Sequence, residues 1–191
     1  MMIDPETIDS LLGTRIRVER EQRGWSLSEL SQRSGVSRAQ INKVERGESS
    51  PTASLLGRLS GAFGLTVSAL LARAEAARPG RLVRAGEHPR WQDPATGYVR
   101  NQIAPGPGSD FPLDLVRVDM PVGASVSYPA SAFAFIRQVV IVLDGELTFT
   151  EGDVAHDLYA GDSIELGAPT DCTFRNKGGK ACSYLVAVVR P

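Results

Sequence analysis

The chain has 191 residues, 42% of them hydrophobic, and a formal net charge of −1, the composition of an ordinary globular protein with room for one or two domains. No run approaches the ~18 consecutive apolar residues that would span a bilayer. The acidic start Met1-Met2-Ile3-Asp4-Pro5-Glu6 is unlike a secretory signal, so a cytoplasmic protein without a membrane partner is expected.

The charge is unevenly divided. From Arg15 to Arg46 there are eight Arg or Lys against four Asp or Glu, a net of +4, whereas residues 79–191 carry ten against thirteen, a net of −3. A basic head on an acidic body can bind nucleic acid despite the overall balance, because phosphate affinity follows local charge and counterion release.

Residues 1–8 read as a loose arm. From about Asp9 to Gly24, Leu12, Ile16 and Val18 supply apolar positions among Arg15, Arg17, Arg20 and Arg23, which predicts a basic amphipathic first helix. Trp25 reads as core packing. Ser26-Leu27-Ser28-Glu29 is a capping box that opens a second helix with Leu30 inward, and Gly35 closes it. Ser37 with Gln40 three residues on opens a third, in which Ile41 and Val44 share one face while Arg38, Ala39, Asn42 and Lys43 form a contiguous polar stripe. Gly47 is a plausible stop.

Two short capped helices joined by a glycine-containing turn have the form of a helix-turn-helix, whose second helix enters the DNA major groove. Arg suits guanine O6 and N7, Asn or Gln suits adenine N6 and N7, and an Ala methyl suits the thymine methyl. Taken alone, such a pair is equally an ordinary amphipathic hairpin with a solvated face.

Further on, Ser50 or Thr52 caps a fourth helix with Leu55, Leu56, Leu59 and Phe63 buried, ended by Gly64. A fifth starts at Thr66-Val67-Ser68-Ala69-Leu70-Leu71 and runs into a linker closed by Pro79-Gly80. The run Ser26-x-x-Glu29-Leu30, Gly35-Val36-Ser37, Ile41, Val44-Glu45-Arg46-Gly47, Pro51, Leu55-Leu56, Leu59, Ala62-Phe63-Gly64-Leu65 and Leu70-Leu71 resembles the five-helix lambda-repressor-like (XRE) DNA-binding domain over residues 11–73. The resemblance implies that Arg20 pairs with Glu45. It also implies base contacts from Arg38, Ala39, Gln40, Asn42 and Lys43, with Gln40 alternatively spent on the cap, and places the capping Ser37 in the DNA-binding set. Ser26, Ser28, Arg46 and the first-helix arginines are phosphate candidates.

From Arg81 the texture changes to short β-branched and aromatic runs: 82–84, 98–103, 115–119, 125–128, 138–143, 146–150, 163–166, 172–175 and 183–189, separated by Gly, Pro and Asp turns. Many short strands at this spacing predict an antiparallel sandwich or barrel. Asp144-Gly145 reads as a hairpin turn. Val139-Val140-Ile141-Val142-Leu143 is apolar throughout, which predicts burial on both faces and a second subunit as the outer cover.

This half resembles a cupin, a double-stranded β-helix barrel, most clearly over residues 115–189, with Gly123 to Gly145 and Gly161 to Asn176 standing for its two motifs. The metal ligands of the family are missing. Gln138 replaces the glutamate, Ser131-Ala132-Phe133-Ala134 the paired histidines and Cys172 the last histidine, while His88 and His156 lie outside both motifs. No metal and no cofactor is expected. Phe133, Phe135, Gln138, Val140, Cys172, Phe174 and Tyr184 are candidate lining residues of an interior that either holds a small ligand or is packed solid. Cys172 and Cys182 on neighbouring strands would offer a redox switch, although buried cysteines are more often inert.

The expected protein is a multi-domain α + β chain. A five-helix DNA-binding domain spans 9–73, a linker 74–81 and a cupin-like antiparallel β-barrel 82–191. The resemblance of the joined halves implies no enzyme but a homodimeric regulator, a repressor, on double-stranded DNA with a near-palindromic operator and a small-molecule effector. The alternatives are a metal-dependent cupin isomerase or oxygenase with a DNA-binding head, and an architectural dimer without ligand.

Overall fold

The computed structural model of the protein describes residues 5–74, 82–104 and 111–189. Within them the helices α1 (Pro5–Gln22), α2 (Leu27–Ser34), α3 (Arg38–Glu45), α4 (Ala53–Phe63) and α5 (Val67–Ala74) precede the strands. The first helix begins earlier than Asp9, so only residues 1–4 of the expected arm lie outside the described residues. Ser26 caps α2 with a full capping box, Ser37 caps α3, Thr52 caps α4, and Gly35 and Gly64 close α2 and α4 in the left-handed conformation. Leu12, Ile16, Leu30, Ile41, Val44, Leu56, Leu59 and Leu70 fill the helical core. No single helix among the described residues is long and apolar enough to cross a membrane.

The strands are β1 (Arg90–Gln92), β2 (Val99–Ala104), β3 (Leu113–Met120), β4 (Ser125–Tyr128), β5 (Arg137–Asp144), β6 (Glu146–Glu151), β7 (Val154–Tyr159), β8 (Ser163–Glu165), β9 (Cys172–Arg175) and β10 (Cys182–Val189). They form two antiparallel sheets, ordered β1-β2-β3-β10-β5-β8 and β4-β9-β6-β7. From β3 onward, the chain changes sheet at every step except from β6 to β7 and returns at β10 beside β3, which is the double Greek key of a jelly roll, the architecture of cupins. Phe174 of β9 stacks on Tyr184 of β10 at 5.9 Å, so the two sheets meet across a shared interior.

Several expectations change. Residues 82–84 form no strand, Leu82 being 67% exposed with no neighbouring strand to pair, and the linker from 75 to 81 lies outside the described residues. The run 154–159, absent from the expected strands, is β7, joined to β6 by a two-residue hairpin at Gly152-Asp153. Asp144-Gly145 is not a hairpin, because β5 and β6 belong to different sheets and Gly145 marks the corner between them. A Cβ there would lie 2.8 Å from the Ala181 carbonyl oxygen, so the corner needs glycine. In the single chain Gln138, Val140 and Val142 of β5 point inward, whereas on its outer face Val139 and Ile141 are half-buried and Leu143 is exposed, the face for which a second subunit is the expected cover.

The helical half sits directly on the jelly roll. α4 packs through Gly57 and Gly61, four residues apart on one face. A Cβ on Gly57 would fall 2.3 Å from the Tyr128 ring, and one on Gly61 2.9 Å from the Ser131 carbonyl oxygen. The sheets also supply carboxylates to helix starts. Asp93 accepts the Ala53 N–H at 3.1 Å, and Asp114 accepts the Thr66 hydroxyl at 3.3 Å while that hydroxyl accepts the Ala69 N–H. Gly57→Val should therefore lower stability by about 1–3 kcal/mol through overpacking. Gly86→Val, where a Cβ meets nothing within 4 Å, should change it little. Urea melts of both variants check the pair.

Candidate nucleic-acid interface and interior cavity

α3 is seated by its buried face. Ile41, Val44 and Glu45 are buried, and Arg20 of α1 grips Glu45 through both forks of its guanidinium, Nε to Oε1 and Nη2 to Oε2, each at 2.7 Å. The Arg20 Nη1 donates to the Trp25 carbonyl at 3.0 Å, tying the start of α2 to the same cation. Arg20 carries its charge more firmly than usual because of that carboxylate. α1 comes close enough to α3 that a Cβ on Gly13 would nearly coincide with the Val44 carbonyl oxygen.

Immediately before Arg20 on α1, the Glu19 side chain is 1% exposed and ringed by Arg15, Arg23 and Arg73, the last reaching across from α5 at 2.8 Å. Burial opposes its charge, but hydrogen bonds from the three arginines hold its carboxyl down at about 2.

The outward surface of α2 and α3 presents Ser26, Ser28, Ser37, Arg38, Ala39, Gln40, Asn42, Lys43 and Arg46, all exposed. Some are already engaged. Ser26 is occupied by the capping box with Glu29. Ser37 accepts the Gln40 N–H at 3.2 Å and its hydroxyl donates to Gln40 Oε1 at 3.1 Å, so the Gln40 side chain lies on the cap. Arg38 Nη1 reaches Ser28 Oγ at 3.3 Å, and Arg46 pairs with Glu48 at 2.7 Å. Ala39, Asn42 and Lys43 make up the rest of the stripe.

Inside the jelly roll, a cavity with about 50 Å³ of space for the centres of water-sized spheres lies between the sheets and the start of α5. Phe133, Gln138, Phe174 and Tyr184 line it. Val140 and Cys172 are buried away from its wall, and Phe135 is 64% exposed, because the chain turns outward after Phe133 before β5 begins. Tyr98, Arg100 and Tyr128, which sequence reasoning missed, complete the polar part, and Thr66, Val67 and Ser68 of α5 close the mouth. Period-two alternation gave no sign of Arg100, since polar and apolar residues mix on both faces of residues 98–103.

The metal that cupins commonly hold does not fit these side chains. Among the described residues no three His, Cys, Asp or Glu side chains converge. Burial pushes the Cys172 thiol up to about 12, keeping it protonated and a poor ligand. His156 instead stacks on Phe149 at 6.5 Å. The two thiols do not face one another either, as Cys172 pairs across the sheet with Tyr128 and Glu151 while Cys182 pairs with Met120.

With α2, α3 and their turn in place, comparison decides what this unit is: residues 16–70 match the family described as Helix-turn-helix. Residues 16–70 form a helix-turn-helix domain. The helix-turn-helix protein SutR of Escherichia coli K12, a transcriptional regulator by description, is 27% identical over 185 residues, covering 94% of each chain. SinR of Bacillus subtilis, another helix-turn-helix regulator by description, is 32% identical over 62 residues, 32% of this chain and 56% of its own. The crystal structure of an HTH_3 family transcriptional regulator from Vibrio cholerae superposes with a TM-score of 0.79 at 20% identity, over 98% of this chain and 99% of that one. The fold of helix-turn-helix domain and jelly roll together is thus shared along the whole length.

Glu19→Gln should cost about 3 kcal/mol at neutral pH by leaving three arginines without their anion. Since the native carboxyl sits at about 2 against an ordinary 4.5, its contribution is complete above pH 4.5 and fades as pH falls toward 2. Denaturant melts of wild type and variant should differ widely at pH 7 and converge at pH 2 to 3.

Proposed function

We propose that the protein is a homodimeric, sequence-specific transcriptional regulator, a repressor, that reads a near-palindromic operator with α3 and senses a small molecule in its jelly roll. One observation carries the reading of DNA. Arg38, Ala39, Asn42 and Lys43 lie exposed and contiguous on a helix whose opposite face is clamped by Ile41, Val44 and the Arg20–Glu45 pair. A surface that must fit base edges needs such a rigid mount. The names of SutR and the Vibrio cholerae protein, both transcriptional regulators related to this chain along nearly all its length, support the same reading. Within it, residues 9–73 are the reader, 74–81 the connection, and 82–191 the sensor and dimerisation unit.

The dimer follows from the outer face of the six-stranded sheet. Leu115, Leu185, Ala187, Val139 and Ile141 are half-buried and lie side by side across β3, β10 and β5, with exposed Leu143 and Val189 at the rim. A second copy set on this face would cover it. The pair would hold two recognition helices about 34 Å apart, one turn of DNA. For the metal-dependent enzyme alternative, no converging set of donors is found among the described residues, and we propose a regulator rather than an enzyme.

Arg38→Ala and Lys43→Ala should each weaken the specific duplex by about 1–3 kcal/mol and relax base preference. Arg46→Ala should weaken all duplexes alike and reduce the salt slope by about 1. Titrations of specific and random duplex at two salt concentrations separate these, and an unchanged ratio would remove Arg38 and Lys43 from the base-reading set. Ile141→Arg should give a monomer in sedimentation; an unchanged mass would place the dimer contact elsewhere.

A further inference from the structure

Arg100 is an unusual residue to find inside a jelly roll. The strand register aligns it with Val118 of β3, Tyr184 of β10 and Val142 of β5, all three buried, so its side chain belongs to the inward row. Its Nη2 donates to Ser68 Oγ of α5 at 3.0 Å, and its Nε is buried with no hydrogen-bond partner. The groups that surround it are the hydroxyls of Tyr98, Tyr128 and Tyr184, of which Tyr98 is also a hydrogen-bond partner of the guanidinium. Burial raises the Tyr128 and Tyr184 hydroxyls, so they stay neutral and cannot balance the cation. Among the described residues no carboxylate forms an ion pair with Arg100. A half-buried cation among neutral hydroxyls, with its Nε–H unused and no carboxylate partner among the described residues, favours an anion in the cavity that its side chain lines.

We infer that the cavity binds a small organic monoanion, a short carboxylate whose head group pairs with Arg100 and whose apolar end lies against Val67, Val126, Phe133 and Val186. The inference rests on the reading of the jelly roll as a sensor and names the chemistry sensed. The carboxylate takes the unused Nε–H together with the second Nη2 hydrogen, the side-on geometry that Arg20 makes with Glu45 in this same protein. Gln138 and the tyrosine hydroxyls donate to the remaining lone pairs. The space, a few times the ~10–15 Å³ that one water requires, suits a chain of a few carbons and excludes a nucleotide.

The test is calorimetry on the full chain, without DNA, using straight-chain monocarboxylates from acetate to hexanoate, their neutral amides, and inorganic sulfate. Saturable binding of at least one acid, more than tenfold tighter than its amide and than sulfate, is expected. Arg100→Met should abolish it, Arg100→Lys should restore part of it, and without ligand Arg100→Met should raise Tm because an uncompensated cation has been removed. Acid and amide binding alike, sulfate matching the best acid, or no acid binding at all would overturn the assignment, as would a lower Tm in a folded Arg100→Met that still binds. Should that variant fail to fold, the comparison of acid with amide on the unaltered chain decides. Because no duplex is present, failure here leaves the reading of DNA by α3 standing, and failure to bind DNA leaves this site standing.

Discussion

Tyr128 lies flat against α4 at the one position where Gly57 has no side chain to obstruct it, and its hydroxyl meets that of Tyr98 at 2.6 Å inside the jelly roll. A single aromatic ring is therefore both the floor on which the helical half stands and part of the wall of the interior cavity. Gly61 extends the same seat to Ser131, and Asp93 fixes its far end by accepting the first free N–H of α4. Packed interfaces of this kind have few alternative settings, because shifting α4 by a fraction of an ångström opens a void or a clash. The helical half consequently takes its orientation from the sheets over the contact itself and not only through the covalent connection.

From that seat, charge carries the orientation toward α3. α5 is bound to the jelly roll through Ser68 and Thr66 and to α1 through Arg73 on Glu19. Beside Glu19 on α1, Arg20 holds Glu45 at the end of α3. Two of these links are ion pairs, one is a capped helix start and one joins a guanidinium to a serine hydroxyl, each with at least one partner buried, where an unpaired charge costs several kcal/mol. A displacement of α5 at the cavity mouth must break one of these links or shift α1 and α3 with it.

Much of this was legible before any coordinates. Helix starts are written in Ser26, Ser37 and Thr52 because a capping hydroxyl is a local requirement, and the resemblance that named Arg20 and Glu45 named a pair the structure contains. Strands were legible where apolar residues mark them and illegible where pairing alone makes them. β7 has only Val154, Ala155, Leu158 and Tyr159 among polar neighbours, and β1 is three residues long. The error at Asp144-Gly145 has a plain physical cause. A turn dipeptide states that the chain bends, but not which sheet the next strand joins. Arg100 was hidden for a related reason, since only the register places an arginine in the middle of a mixed strand on the inside of a barrel.

The arrangement has a thermodynamic consequence that does not depend on the identity of any ligand. The wall of the cavity is built partly from the jelly roll and partly from Thr66, Val67 and Ser68 of the helical half, so the complete site exists only while the two halves keep this docking. Whatever binds there binds one arrangement better than another, and a differential affinity of that kind is the sole means by which a ligand can shift an equilibrium between arrangements. Linkage then works in both directions. DNA that selects one setting of α3 selects one setting of α5 through Glu45, Arg20, Glu19 and Arg73, and so raises or lowers affinity in the cavity by the same factor by which a cavity ligand alters affinity for DNA. The Arg100–Ser68 hydrogen bond stands where these two demands meet: it joins the cavity's half-buried cation to the first turn of α5. An anion drawn to Arg100 competes with or reinforces the contact that holds the reading half in place.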